Sequence, residues 1–254
     1  MNEFNVKSNA SASEINNRSR FLELLRRSPI SDAELLENLP LYLNRQTLTN
    51  LLFIHELYTK ILDVNGIIIE FGVRWGRNLA LYENLRGIYE SFNHTRRVIG
   101  FDTFQGFPSV HAKDGEAPAA SVAAYSVSAG YQKYLEQVLD YHESENPIPH
   151  IKKYSLVSGD ATETVPDYLA RNPQTIIALA YFDFDIYEPT KECLKAIIPY
   201  LTRGSILAFD ELNYATFPGE TMAVREVLGT HNIELRRSKF SGYQSYAVWA
   251  GVGK

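Results

Sequence analysis

The sequence predicts an α/β fold in which a mostly parallel, seven-stranded sheet carries helices on both faces. Short apolar runs recur along the chain without polar alternation, as in residues 67–72 and 176–182, and such runs are typical of strands buried on both faces. Segments with helical spacing separate these runs, so successive strands are expected to run parallel. Two final strand patterns, 232–237 and 244–249, are joined by a short turn and predict an antiparallel C-terminal strand.

Composition favours one large domain and excludes several classes of function. The chain has 254 residues, of which 45% are hydrophobic, so a single core can be filled. Its 25 basic and 30 acidic residues give a net charge of −5, which argues against nucleic acid as a partner. The lone cysteine, Cys193, excludes an internal disulfide. We find no apolar stretch long enough for a bilayer and no secretion signal, so we expect a cytoplasmic protein with no membrane partner.

The N-terminal part is expected to be separate from the sheet. Residues 1–20 are polar with hardly any apolar periodicity, which predicts a mobile arm. Residues 21–64 predict a helical cap, and its longest helix, 45–64, has apolar residues at helical spacing. Residues 65–254 predict the sheet domain, which forms one globular unit with the cap. Because a polar arm often orders on contact, we expect a homo-oligomer in which the arm packs on a neighbouring subunit.

The other elements alternate along the chain. We expect strands at 67–72, 97–102, 153–157, 176–182 and 205–209, and helices at 79–89, 125–141, 165–170, 189–200 and 222–228. Residues 103–124 contain several glycines and prolines and have no sustained period, so they predict a long loop. Long loops in compact domains are commonly lids or binding loops.

The first two strands end in acids that suggest a nucleoside ligand. Glu70 and Gly72 close the first strand, and a glycine there lets the backbone approach a ligand. The spacing from Gly72 to Gly76 differs from the dinucleotide pattern G-x-G-x-x-G. Asp102 ends the next strand, where a carboxylate is well placed to accept hydrogen bonds from ribose hydroxyls. The alternative for Asp102 is a simple turn or helix cap.

A second group of acids ends the next two strands of the sheet. Asp183 and Asp185 follow the strand at 176–182, and Asp210 and Glu211 follow the strand at 205–209. Because parallel strands present their carboxyl ends at one edge, these carboxylates are expected to converge. Converging carboxylates repel each other unless a cation lies between them. Some of the acids alternatively cap helices, and we expect Asp185 to turn towards the helix that follows.

The same positions carry a resemblance to known enzymes. The layout resembles the Rossmann-like sheet of the class I S-adenosylmethionine methyltransferases, through Glu70-x-Gly72, Asp102 and Gly159-Asp160. More specifically, the chain resembles the macrocin O-methyltransferase family of antibiotic-sugar methyltransferases. That similarity is carried by residues 70–73, 101–108, 183–190 and 209–211. Arg77 departs from a glycine in the family pattern, and Glu211 departs from an aspartate.

The resemblance implies S-adenosylmethionine as cofactor and a divalent metal, foremost Mg²⁺. Asp183, Asp210 and Glu211 are implied as metal ligands, with Asp183 as general base. The implied cofactor contacts are Glu70 and Gly72 at the methionine end, Arg74 and Asn78 at the carboxylate, Asp102 at the ribose, Thr103 and Phe104 beside the adenosine, and Gly159 and Asp160 at the adenine. The implied acceptor is a hydroxyl of a deoxysugar, either nucleotide-activated, such as a TDP-rhamnose type, or attached to a natural product in antibiotic biosynthesis.

Three other functions remain open at the level of sequence. A catechol or other small-molecule O-methyltransferase uses the same carboxylate–metal chemistry on a vicinal diol. A NAD-dependent oxidoreductase uses the same sheet edge, although the missing G-x-G-x-x-G and the acids at the strand ends count against it. A non-catalytic binding protein on this fold is the third.

Overall fold

A computed structural model of the chain describes residues 10–251. The strands are β1 (Ile67–Phe71), β2 (Val98–Asp102), β3 (Tyr154–Ser158), β4 (Ile177–Phe182), β5 (Leu201–Phe209), β6 (Leu235–Arg237) and β7 (Ser245–Val248). The helices are α1 (Ala12–Arg26), α2 (Asp32–Asn38), α3 (Arg45–Lys60), α4 (Arg77–Tyr89), α5 (Tyr131–Glu145), α6 (Ala161–Arg171), α7 (Tyr187–Ile197) and α8 (Gly219–Val227).

The strands form one sheet in the order β3-β2-β1-β4-β5-β7-β6. The five strands from β1 to β5 pair in parallel, while β7 lies antiparallel to both β5 and β6. The predicted α/β class, with a mostly parallel sheet and an antiparallel C-terminal strand, is therefore confirmed. Because β1 is central, with β2 on one side and β4 on the other, the acids that end these strands meet at one edge.

Hydrophobic clusters cover both faces of the sheet. One cluster joins Ile68 of β1 to buried residues of α3, α4 and α5, such as Phe53 and Leu79. The other joins Ile69 and Phe71 of β1 to buried residues of α6, α7 and α8. Successive β1 side chains thus point to opposite faces of the sheet, which explains why all of them except Glu70 are apolar. Complete burial of a side chain of this size contributes roughly 1.5–3 kcal/mol, so these helices fix the ends of the strands firmly.

The N-terminal helix begins earlier than expected. Helix α1 starts at Ala12, within the arm predicted at 1–20, and residues 1–9 lie outside the described part. Ser11 caps the helix, because its side chain accepts from the Glu14 backbone N–H and the Glu14 carboxylate accepts from the Ser11 N–H at 2.8 Å. This reciprocal cap stabilises a polar helix start that apolar periodicity does not reveal. None of the α1 residues is buried, whereas α3 buries one face on the sheet.

Other boundaries moved because of local caps and turns. Helix α6 starts at Ala161 instead of 165, since the Asp160 side chain accepts from the Thr162 N–H and begins the helix there. Helix α5 starts at Tyr131 instead of 125, because Tyr125 has a φ of 64° and does not fit a right-handed helix. The loop after β2 is therefore longer than expected, and it contains a short 3₁₀ turn at Ala112–Asp114.

Candidate active site

A cavity of about 370 Å³ opens at the carboxyl edge of the sheet. Its walls come from the ends of β1 to β5 and from the long loop after β2, and its volume lies in the usual range for small-molecule sites. Of the residues singled out from sequence, all except Phe104 line it: Glu70, Gly72, Arg74, Asn78, Asp102, Thr103, Gly159, Asp160, Asp183, Asp210 and Glu211. The sheet topology thus collects residues from five separate segments of the chain at one place.

Glu70 presents an unsatisfied carboxylate oxygen at the floor of the cavity. The residue is 1% exposed, and its Oε1 accepts a hydrogen bond from Asn78 Nδ2 at 2.8 Å. Its Oε2 is buried without a hydrogen-bond partner among the described residues. Burial raises the pKa of Glu70 to about 8. A buried, unpaired carboxylate oxygen is costly, so this position fits a ligand that brings a cation, such as an ammonium group.

Gly72 keeps the cavity floor open between β1 and β4. Its φ is +91°, and a Cβ atom there would lie 2.0 Å from the Asp183 carbonyl oxygen. The backbone of Asp183 is held against β1 in turn, because its N–H donates to the Phe71 carbonyl at 2.8 Å. A side chain at position 72 would therefore push away the segment that carries the acids.

Asp102 ties two neighbouring loops together. Its Oδ2 accepts from the Arg74 N–H at 2.7 Å, and its Oδ1 accepts from the Phe104 N–H at 2.5 Å. Burial is the main reason that its pKa is raised, and these backbone N–H groups oppose the rise. Both readings from sequence therefore coexist, since the carboxylate organises the turn and also lines the cavity. Carboxylate oxygens have several lone pairs, so Asp102 still has acceptor capacity for ribose hydroxyls.

The residues predicted to lie beside the adenosine differ in how they meet the cavity. Phe104 does not line it, because its φ of 56° turns the chain and its ring packs on the hydrophobic cluster of α3, α4 and α5. Phe107 and Pro108 line the cavity in its place. The Thr103 hydroxyl donates to the Gly106 carbonyl at 2.7 Å and so shapes the turn. Asp160 lines the cavity and caps α6 with the same carboxylate.

The four acids after β4 and β5 all line the cavity and repel each other. Burial raises the pKa of Asp183 well above its usual range, and the charges of Asp210 and Asp185 raise it further. The same causes raise the pKa of Asp185 to about 7 and that of Glu211 to about 8. Asp185 hence faces the cavity, and the expectation that it turns towards the helix is wrong. Its φ of 62° directs the chain away from a helical start, and α7 begins two residues later.

The donor set of this cluster suits a hard divalent cation. Carboxylate oxygens are the ligands that such ions prefer, and Glu211 Oε2 is buried without a hydrogen-bond partner among the described residues. Between residues 10 and 251, no three His, Cys, Asp or Glu side chains are already close enough together to hold a metal ion. The carboxylate oxygens are therefore suitable ligands for a cation. The acids must move closer together to bind one, which requires that their mutual repulsion is neutralised.

Side chains that the sequence did not point to hold Asp210 and Glu211 in place. Asp210 Oδ1 accepts from the Tyr181 hydroxyl at 2.6 Å and from Gln244 Nε2 at 2.7 Å. The Glu211 N–H donates to Glu220 Oε2 at 3.0 Å, and Glu220 is completely buried at the start of α8. With Oδ1 of Asp210 engaged by two donors, Oδ2 is the oxygen left to face a ligand.

The long loop after β2 is anchored on the far side of the acids. Asp114 is 1% exposed, and its Oδ1 accepts from the Tyr187 N–H at the start of α7 at 2.6 Å. The Lys113 ammonium donates to the Tyr187 hydroxyl at 2.7 Å. Nearer the cavity, the Arg74 guanidinium lies 5.0 Å from the ring centre of Tyr125, whose hydroxyl bonds Asp185. The loop is thus one wall of the cavity.

Comparison with solved structures now identifies the family. The chain is 48% identical to CalS11, calicheamicin methyltransferase, over 98% of this chain and 97% of that chain, with a TM-score of 0.93. It is 46% identical to an apo structure of CalS11 described as a TDP-rhamnose 3′-O-methyltransferase, over 95% and 96% of the two chains, with a TM-score of 0.84. The chain belongs to the macrocin O-methyltransferase family of sugar O-methyltransferases. It is an S-adenosylmethionine-dependent methyltransferase with the class I fold.

The other comparisons give less information about the family. The O-methyltransferase NovP is 21% identical over 80% of each chain with a TM-score of 0.59, which shows a shared fold alone. Searches with the sequence found no matching family model and no matching curated protein. Within residues 10–251 of the methyltransferase, no helix is long and apolar enough to cross a membrane.

Arg74 and Arg77, which both line the cavity, act on different acids. Arg77, at the start of α4, is the basic residue whose charge opposes the raised pKa of Glu70 and of Asp183. Arg74 instead acts on Asp102 and Asp185 and contacts Tyr125. Arg77 Nε also donates to Asn78 Oδ1 at 3.3 Å, and Asn78 donates to Glu70, so these three side chains form one connected group.

Proposed function

We propose that the protein transfers a methyl group from S-adenosylmethionine to a hydroxyl of a deoxysugar, with the help of a divalent metal, in natural-product biosynthesis. The observation that carries the proposal is the cavity itself, which is lined both by Glu70, with an oxygen unpaired among the described residues, and by the acids after β4 and β5. A sugar acceptor is supported by the similarity to CalS11, which is described as acting on TDP-rhamnose. The proposal covers both nucleotide-activated and glycoside-bound sugars.

The cofactor would be held by residues on β1, β2 and β3. Glu70 Oε2 would accept from the methionine ammonium group, and Asn78 keeps that carboxylate oriented through Oε1. Asp102 would accept from the ribose hydroxyls, and Gly159 and Asp160 would border the adenine. Arg74, with Asn78, stays our prediction for the cofactor carboxylate, and the charge of Arg77 near Glu70 supports Arg77 as a further partner.

The metal, most simply Mg²⁺, would be held by Asp183, Asp210 and Glu211, with Asp185 close by. When bound, a divalent cation lowers the pKa of a coordinated hydroxyl and fixes its orientation. Neighbouring residues hold these acids in position. Tyr181 and Gln244 hold Asp210, and Glu220 holds the Glu211 backbone. Asp183, which lines the cavity beside these acids, would take the proton from the acceptor hydroxyl as its oxygen attacks the methyl group.

Methyl transfer to candidate acceptors, followed by mass spectrometry, tests the proposal. The expected result is a mass gain of one methyl group on a TDP-deoxysugar or a deoxysugar glycoside, lost on addition of a chelator and restored by Mg²⁺. Methylation of catechol with no sugar accepted would overturn the sugar assignment. Full activity in a chelator, together with an active Asp210→Asn variant, would overturn the metal assignment. The homo-oligomer prediction is checked separately by light scattering.

A further inference from the structure

Trp75 is an exposed aromatic side chain built into the wall of the active-site cavity. It lies in the loop between β1 and α4, it lines the cavity, and it is 44% exposed. The rest of that wall is rich in acids and bases, so an indole ring exposed there is unusual for packing alone. Exposed aromatic rings at the mouth of a pocket are typical stacking surfaces for planar ligands.

The position of Trp75 is fixed by its neighbours. Arg74 has a φ of 49° and Gly76 a φ of 75°, so the loop makes a tight turn on both sides of the indole. A Cβ atom on Gly76 would lie 2.3 Å from Leu135 Cδ1, so α5 packs directly under the turn. The Tyr131 hydroxyl donates to the Trp75 carbonyl at 3.0 Å, and the two rings meet edge to face at 4.7 Å. A ring held in this way stacks on a ligand with little loss of conformational entropy.

Arg74, which precedes Trp75 in the chain, brings a positive charge to the same cavity. Its guanidinium lies over Tyr125, and its charge opposes the raised pKa of Asp185. Tyr125 in turn borders the acid cluster, since its hydroxyl bonds Asp185. The acids, the guanidinium of Arg74 and the indole of Trp75 thus all line one cavity. These three kinds of group match the sugar, the phosphates and the base of a nucleotide-activated sugar.

We infer that Trp75 and Arg74 form the subsite for the nucleoside diphosphate part of a nucleotide-activated sugar acceptor. The nucleobase stacks on the Trp75 indole, and the diphosphate pairs with the Arg74 guanidinium while the sugar hydroxyls reach the acids. This inference rests on the proposed sugar O-methylation and narrows it to acceptors that still carry their nucleotide. It also replaces the prediction of Arg74 as a partner of the cofactor carboxylate, because Arg74 would bind the acceptor and Arg77 and Asn78 would hold that carboxylate.

Fluorescence of the full-length chain tests the stacking directly, because the chain has only two tryptophans. In a Trp249→Phe background, Trp75 is the sole tryptophan, so selective excitation of tryptophan reports on this ring alone. Saturable quenching by TDP, with little change on addition of pyrophosphate or S-adenosylhomocysteine, is the expected result. Quenching by S-adenosylhomocysteine but not by TDP would assign the ring to the cofactor adenine and overturn the inference, as would no quenching by either.

Binding and kinetics separate the subsite from the reaction. Trp75→Ala is expected to weaken TDP binding about tenfold and to raise KM for a TDP-sugar, while kcat and the affinity for S-adenosylhomocysteine change little. Arg74→Gln is expected to weaken binding of TDP more than that of thymidine. Tyr134→Ala is the matched control, because Tyr134 is 58% exposed in the same aromatic cluster and does not line the cavity.

Two outcomes keep this inference distinct from the proposed function. If a deoxysugar glycoside is methylated and TDP neither binds nor quenches Trp75, the sugar O-methylation stands and the nucleotide subsite is refuted. If TDP-sugar is methylated with an unchanged KM in Trp75→Ala, the subsite is refuted as well. Retention of tight TDP binding by Trp75→Phe, with loss in Trp75→Ala, would support stacking over a purely structural role.

Discussion

The hydroxyl of Tyr181 is expected to control how well Asp210 serves as a metal ligand. Tyr181→Phe removes one of two hydrogen bonds to Asp210 Oδ1 and leaves the ring, which is completely buried, in place. A hydrogen bond to a charged group contributes about 1.5–3 kcal/mol. Because Gln244 still donates to the same oxygen, we expect a loss near the lower end of this range. The metal affinity should fall about tenfold, which corresponds to ~1.4 kcal/mol.

Calorimetric titration with Mn²⁺ or Mg²⁺ measures this loss without reliance on turnover. Tyr154→Phe is the matched control, because the Tyr154 hydroxyl also donates to a carboxylate, Asp140, at 2.6 Å, but away from the cavity. Both variants are expected to lose some stability, and only Tyr181→Phe is expected to lose metal affinity. The double variant with Gln244→Leu should lose more. Unchanged metal affinity in the single and double variants, with thermal melting that shows a folded protein, would refute the reasoning.

Three further predictions concern the cavity floor, a buried acid and the long loop. Gly72→Ala is expected to destabilise the protein by on the order of 2 kcal/mol or more and to abolish S-adenosylhomocysteine binding, measured by thermal shift, because the new methyl group meets the Asp183 carbonyl. Glu83→Met is expected to stabilise the protein by about 1–3 kcal/mol at pH 9 in urea unfolding, since both Glu83 carboxylate oxygens are buried without partners among the described residues. Asp114→Asn is expected to cost about 1–2 kcal/mol and to speed proteolysis within residues 103–130, because the bond to the Tyr187 N–H is weakened.

The pH dependence of the Glu83 effect follows from the sign of its shift. Burial raises the pKa of Glu83 to about 8 in the folded state, above the ordinary value of 4.5. The folded protein then holds a proton that the unfolded chain releases, so stability falls as pH rises from about 4.5 to about 8. The gain from Glu83→Met should accordingly shrink below pH 8, and a gain independent of pH would contradict this account. For Gly72→Ala, the control is Gly242→Ala, where a Cβ atom meets nothing within 4 Å.

The parts of the fold that the sequence predicted are those with local signals. Unbroken apolar runs ending in acids identified β1, β2, β4 and β5 and placed Glu70, Asp102, Asp183 and Asp210 at one edge. The start of α1 had a local signal too, the spacing of Ser11 and Glu14, but it lay in a segment without apolar periodicity. Side-chain direction was less predictable, because it depends on single backbone angles such as the left-handed φ of Phe104 and of Asp185.

The supports of the acid cluster had no signal in the sequence. Gln244 reaches Asp210 across 34 positions of the chain, because β7 folds back beside β5. Glu220 reaches Glu211 only because α8 begins beside the end of β5. Such contacts arise from the packing of distant segments, and a residue type at one position does not indicate them.

The carboxylate of Asp102 makes the two halves of the cavity energetically dependent on each other. The residue expected to receive the ribose also holds the backbone N–H of Arg74, and Arg74 precedes the indole of Trp75. A ligand that orders Asp102 therefore also orders the acceptor wall, so the cofactor and the acceptor should each bind more tightly in the presence of the other. By thermodynamic reciprocity, the two enhancements must be equal. In kinetic terms, this coupling would give an ordered mechanism. S-adenosylmethionine would bind first, and the sugar would bind second to residues that the cofactor has already ordered.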